Sequence, residues 1–258
     1  MGRKIGLFFL GFFFCFVSTK SQETPIQIEI DYKTPNWIHF ICNNYTAADY
    51  FVNIHFPILK GYQSKKELPY QTTVKPGKTT VLSLKKIRDF EKPTFKYTYS
   101  YTKGRTLSTI QLDYVYSLPI KQGDSIEVET LHSIDEFSNR EPNENLYGVL
   151  FSMNKGDTVY SAREGVVSSV NDIEMKNDRR RYNFKARNNK IELFHTDGTF
   201  TRYSNVDAVL VEPGDKINLG QAIAVVGGRS FYSSKEHVRF LVYYLDSVKV
   251  QNLSSRTK

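Results

Sequence analysis

Strict alternation of apolar and polar residues, with no accompanying helical period, is the feature that most constrains this chain. Residues 25–32, PIQIEIDY, set Ile26, Ile28 and Ile30 two apart with polar residues between them. FVNIHF from Phe51 and KYTYSYT from Lys96 keep the same period. Side chains two apart share one face of an extended strand, so such runs bury one face and leave the other in water. Turn signals separate them: Lys75-Pro76-Gly77-Lys78 and Lys103-Gly104. Aromatic residues make up 14% of the chain, nearly all Tyr and Phe, which favours strands over helices. Residues 22–115 are therefore expected to form an antiparallel β-sandwich, with His39 and His55 as ordinary strand residues.

The first residues read differently. Arg3 and Lys4 precede an apolar run from Ile5 to Val17. That run is short for a bilayer span and suits the core of a signal peptide. Thr19 and Ser21 offer small residues for cleavage, so residues 1–21 are expected to be removed; an uncleaved anchor is the alternative. Cys15 suits a lipoprotein poorly, because the large Phe14 precedes it. With Cys15 gone, Cys42 is left without a disulfide partner. No second hydrophobic span follows, so the remainder is expected to lie outside the cytoplasm: in a bacterial periplasm, in the cell envelope, or secreted. The net charge of +8 suits an anionic partner, yet it is scattered, and no nucleic-acid-binding pattern is present.

Near Tyr116 the character changes, and a second all-β domain is expected over residues 116–250. NKGDTVYSAREGVVSSV from Asn154 and EPGDKINLGQAIAVVG from Glu212 are faintly alike. Each runs Gly-Asp, a β-branched residue two further on, small residues, then an apolar strand, which suggests two related hairpins. Between them, KIELF and TFTRYSNV read as a hairpin around Thr196-Asp197-Gly198. Residues 174–190, EMKNDRRRYNFKARNNK, form a basic stretch suited to a solvated hairpin tip or to an anionic polymer. Residues 251–258 lack core-forming side chains and are expected to be a disordered tail.

Four blocks together carry a resemblance: GDTVYSAREGVV, KIELFHTDGTFTRYSNV, VEPGDKINLGQAIAVVGG and SKEHVRFLV. In order and spacing, residues 116–244 resemble the lysostaphin-type, or LytM, zinc metallopeptidase domain. The resemblance implies a duplicated hybrid-motif β fold. It also implies a zinc ion held by a first His, an Asp a few residues on, and the second His of a His-x-His strand. Three such ligands leave the fourth position to a water that attacks a peptide carbonyl.

Carried over residue by residue, the zinc set is degenerate. The Asp position holds Leu150, and the first His position holds Leu146 or, in a longer alignment, Asn139. The second His of the closing pair is Arg239, and the Tyr-x-His motif reads Tyr203-Ser204-Asn205. Only His237 survives. Leucine has no lone pair, and a guanidinium is a permanently charged donor. A metal-free protein is therefore expected, with vestigial His237 and Asn205. His237, Asn205, Arg239, Tyr203 and His195 are the candidate ligand-binding residues, although His195 also suits a structural role. A site built from His195, His237 and Glu236 is disfavoured, since strand alternation turns Glu236 away from His237. His132 lies in a loop-like stretch.

The resemblance implies a pseudoenzyme that binds peptidoglycan, or that regulates an envelope hydrolase or scaffold protein. An active zinc endopeptidase with rewired ligands and a structural envelope protein are the alternatives.

Overall fold

The computed structural model describes residues 24–105, 110–111, 113–121, 123–131, 148–171, 189–227, 236–246, 249–253 and 256–257. Every regular element among them is a strand. The signal-peptide reading, the tip of the basic stretch, His132, Asn139 and Leu146 lie outside the described residues.

The first part comprises β1 (Ile26–Asp31), β2 (Trp37–Asn44), β3 (Tyr50–Lys60), β4 (Tyr62–Ser64), β5 (Tyr70–Val74), β6 (Gly77–Lys86) and β7 (Thr94–Lys103). They form two sheets, in the orders β1-β2-β6-β4 and β5-β3-β7. The alternating isoleucines behave as their period requires: Ile26 and Ile28 are buried while Gln27 and Glu29 are exposed. Phe40 is fully buried between the sheets, with Phe56, Phe95 and Tyr97 set edge-on around it at 5.2–5.8 Å. Edge-to-face packing is the favoured aromatic geometry.

The second part begins with β8 (Val115–Tyr116), β9 (Val128–Leu131), β10 (Gly148–Ser152), β11 (Thr158–Tyr160) and β12 (Gly165–Asn171). It continues through β13 (Lys190–Phe194), β14 (Phe200–Ser204), β15 (Val206–Val209), β16 (Lys216–Ile217) and β17 (Ala222–Val226). It closes with β18 (His237–Asp246), β19 (Lys249–Leu253) and β20 (Arg256–Thr257). A long antiparallel sheet runs β16-β12-β13-β14-β18-β10-β9, with β19 added beside β18. A smaller sheet, β11-β17-β15, completes the layer over a core that includes Phe151, Ile191, Leu193, Tyr203 and Phe240.

The faint repeat is real, but its copies are not two independent hairpins. β11 of the first copy pairs with β17 of the second, and β12 pairs with β16. The two turns are built alike. Asp157 accepts a bond from the Asn154 amide at 2.8 Å, and Asp215 from the Glu212 amide at 2.8 Å. Gly156 then donates to Val226, and Gly214 to Val167. Each copy thus splits its two strands between the two sheets and completes them with the other copy, so neither is whole alone.

Gln251–Leu253, expected as part of a frayed tail, extends β19, and Arg256–Thr257 lies parallel to β8. Main-chain pairing does not require apolar side chains, so hydropathy alone missed it.

Candidate functional site

The site is built on the outer face of the long sheet. In β18, Val238, Phe240 and Val242 enter the core, so His237, Arg239, Leu241 and Tyr243 take the opposite face. The register carries this face across the sheet. Leu150 and Ser204 stand opposite Arg239 on either side; Lys190 lies beyond Ser204, and Glu129 beyond Leu150. Directly opposed residues share a face. Glu129, Leu150, Arg239, Ser204 and Lys190 therefore form one row across the floor.

Successive rows lie about 6.6 Å apart along the strands. The next contains Leu241, Arg202, Glu192 and Ser169. The one after contains Tyr243, Phe200 and Phe194, and there the floor ends under the sandwich. Ala48 packs with those three rings. Lys103 reaches Glu192 at 2.6 Å, and Arg105 bonds both Asp49 and the Thr196 carbonyl at 3.0 Å. The floor is thus closed at one end by the N-terminal half of the chain.

Residues 144–252 match the sequence model of Peptidase family M23. This stretch is an M23 domain. No curated protein matches the chain. Among solved structures, the chain is similar to the catalytic domain of a mutant of the prophage-encoded M23 protein EnpA from Enterococcus faecalis. That likeness has 12% identity, covers 54% of this chain and 93% of that one, and gives a TM-score of 0.37. For the catalytic domain of lysostaphin from Staphylococcus simulans the figures are 23%, 54%, 85% and 0.33. For Csd3 from Helicobacter pylori they are 14%, 88%, 70% and 0.35.

M23 domains typically hold zinc, so the donor set here is what matters. Leu150 and Arg239 are directly opposed on adjacent strands, at the two positions where the resemblance leads one to expect an Asp and a His sharing one ion. A hydrocarbon and a fixed cation cannot do so, and these residues do not fit a metal. Among the described residues, no group of three or more His, Cys, Asp or Glu side chains is placed to hold one.

The other candidates separate. Asn205 ends β14 with φ at 68°, a left-handed conformation that Asn tolerates better than most residues. It is buried, and its amide donates to the His237 carbonyl at 2.5 Å. Asn205 thereby clamps the start of β18. Tyr203 is fully buried in the core and accepts a bond from the Ala162 amide at 2.8 Å. His237 is buried opposite Ser152. The Glu236 carboxylate accepts from the Lys155 amide.

His195 lies on the core side, away from His237. Its Nδ1 is 2.7 Å from the Glu164 carbonyl and its Nε2 3.0 Å from the Thr201 hydroxyl. A carbonyl can only accept, so Nδ1 carries the proton and Nε2 accepts from Thr201. The fit is close: a Cβ on Gly165 would meet the ring at 2.9 Å.

Burial holds His195 neutral and pushes its pKa down to about 4, with Arg163 adding to this and the Glu164 carbonyl opposing it. An unfolded histidine titrates near ~6.5. Between those values the unfolded chain binds a proton that the folded one refuses, so stability falls as pH falls through that interval, by up to roughly 3 kcal/mol. Urea midpoints at pH 7 and pH 5 should differ more for the wild type than for His195→Gln.

Sequence reasoning missed two residues of this face. In the sequence Lys190 is one cation among many in the basic stretch, and Glu192 one polar position in a strand. Only the register shows that both lie on the floor.

Proposed function

We propose that this is an exported cell-envelope protein whose M23 domain binds peptidoglycan peptides without cutting them. The observation that carries this reading is Leu150 facing Arg239, a hydrocarbon and a fixed cation at the positions where the resemblance leads one to expect two metal donors. A half-buried guanidinium on an extended floor is suited to hold a carboxylate by paired, charge-assisted bonds. Stem peptides supply such carboxylates. Export rests on the basic residues and apolar run at 3–17. Among the described residues, no helix is long and apolar enough to cross a membrane.

The test is sedimentation with purified peptidoglycan, comparing wild type and Arg239→Ala. Wild type should be retained, and the variant should bind about tenfold more weakly with an unchanged melting temperature. Equal retention of both would remove Arg239 from the binding site. Retention of an envelope hydrolase in place of the polymer would shift the reading to regulation of that enzyme.

A further inference from the structure

The floor row is electrostatically lopsided. Glu129 lies at its β9 edge, Arg239 in the middle, and Lys190 two strands beyond, about 9.5 Å from Arg239 at the backbone. Lys190 is half-buried, and its side chain has no hydrogen bond or ion pair among the described residues. Its neighbours make this costly. Arg202 and Lys103 both bear on its ammonium, and only Glu192 opposes them. That carboxylate is already occupied, accepting from Lys103, Ser169 and Arg202 at 2.6–2.8 Å. The Lys190 side of the floor therefore carries a surplus of positive charge beside a partly dry surface. Burial and the two neighbouring cations both pull the Lys190 pKa down, as expected of an ammonium that lacks its anion.

The shape of the floor narrows the choice of anion. One row further on lie Arg202 and Glu192, and beyond them the sandwich covers Phe194, Phe200 and Tyr243. A polymer laid along the strands cannot run past this closed end, whereas a chain whose terminus lies on the floor can stop before it. Glu129, exposed at the opposite edge of the row, repels a carboxylate and directs it toward Lys190.

We propose that Lys190 and Arg239 form a two-cation clamp for the terminal carboxylate of a peptide, so that the M23 domain recognises a free C-terminal end. Their side chains rise from the same face with Ser204 between them. The guanidinium can bond the carboxylate through two N–H groups while the ammonium acts as a point charge. This inference rests on the peptide-binding reading above and names the part of the peptide that is read.

The experiment is calorimetric titration of the full chain with acetyl-tetra-alanine and with its C-terminal carboxamide. Wild type should bind the acid about tenfold more tightly than the amide, and that preference should shrink with added salt. Lys190→Gln should lose most of the preference, and Lys190→Arg should keep it; melting curves confirm that each variant is folded. Equal binding of the acid by Lys190→Gln and wild type, with Arg239→Gln still impaired, overturns the clamp and leaves the proposed function standing. Equal affinity of wild type for acid and amide overturns carboxylate recognition altogether. Failure of wild type to bind either peptide overturns the peptide-binding reading, and the clamp with it.

Discussion

Replacing Glu192 with Leu is expected to loosen the joint between the two halves of the chain and to cost about 3 kcal/mol. Glu192 is buried, and its carboxylate accepts bonds from Lys103 of the sandwich and from Ser169 and Arg202 of the M23 domain. Removing it strands two cations at one junction. The cost stays moderate because the Lys103 and Arg202 side chains remain 23% and 33% exposed and recover part of their hydration. Burial alone would raise the Glu192 pKa, but Lys103 and Arg202 outweigh it and hold the carboxyl well below the usual range. The sign follows. A carboxylate with a depressed folded pKa contributes its full stability above its unfolded value, near ~4.3, and loses it as pH falls toward the folded value. Urea unfolding of wild type and Glu192→Gln should therefore differ clearly at pH 7 and by a smaller margin at pH 3, the gap narrowing as pH falls further. A constant gap across that range would mean that the charge of Glu192 is not what joins the halves.

A larger loss, about 4 kcal/mol, is expected from Arg163→Leu. Arg163 and Asp197 are both buried, with the guanidinium 2.9 Å from the carboxylate. The guanidinium also lies over the Tyr114 ring, 3.8 Å from its centroid. Asp197 in turn fixes its own turn by accepting from the Thr199 amide at 3.0 Å and hydroxyl at 2.7 Å. Leucine replaces the volume and not the charge, leaving a buried carboxylate without its cation. Adding Asp197→Asn removes that charge. The double variant should be more stable than Arg163→Leu alone, and a full double-mutant cycle measures the coupling. Additive losses would show that the pair is not coupled.

The strands were legible because a period of two leaves little choice: β1 follows its alternation, and Gly198, with φ at 94°, turns the expected hairpin. The interlocking of the repeat was not legible, because its pairings join residues some sixty positions apart and hydropathy carries no record of register. The same limit hid Lys190 and Glu192. Tyr203 and Asn205 are two apart and would share a face in a regular strand. The left-handed backbone at Asn205 breaks that alternation, so Tyr203 enters the core while Asn205 turns to the β18 backbone. Asn205 looked like a lost histidine; in the fold it is also a residue suited to its φ.

Elemental analysis of the purified protein, expressed with zinc present and dialysed free of loose metal, tests the central claim most directly. With Leu150 and Arg239 at the positions where the resemblance expects paired ligands, the proposed reading predicts zinc well below one ion per chain, with peptide binding unaffected by a chelator. Zinc near one per chain, lost together with peptide binding or cleavage on chelation, would contradict the account and make a rewired metallopeptidase the better description.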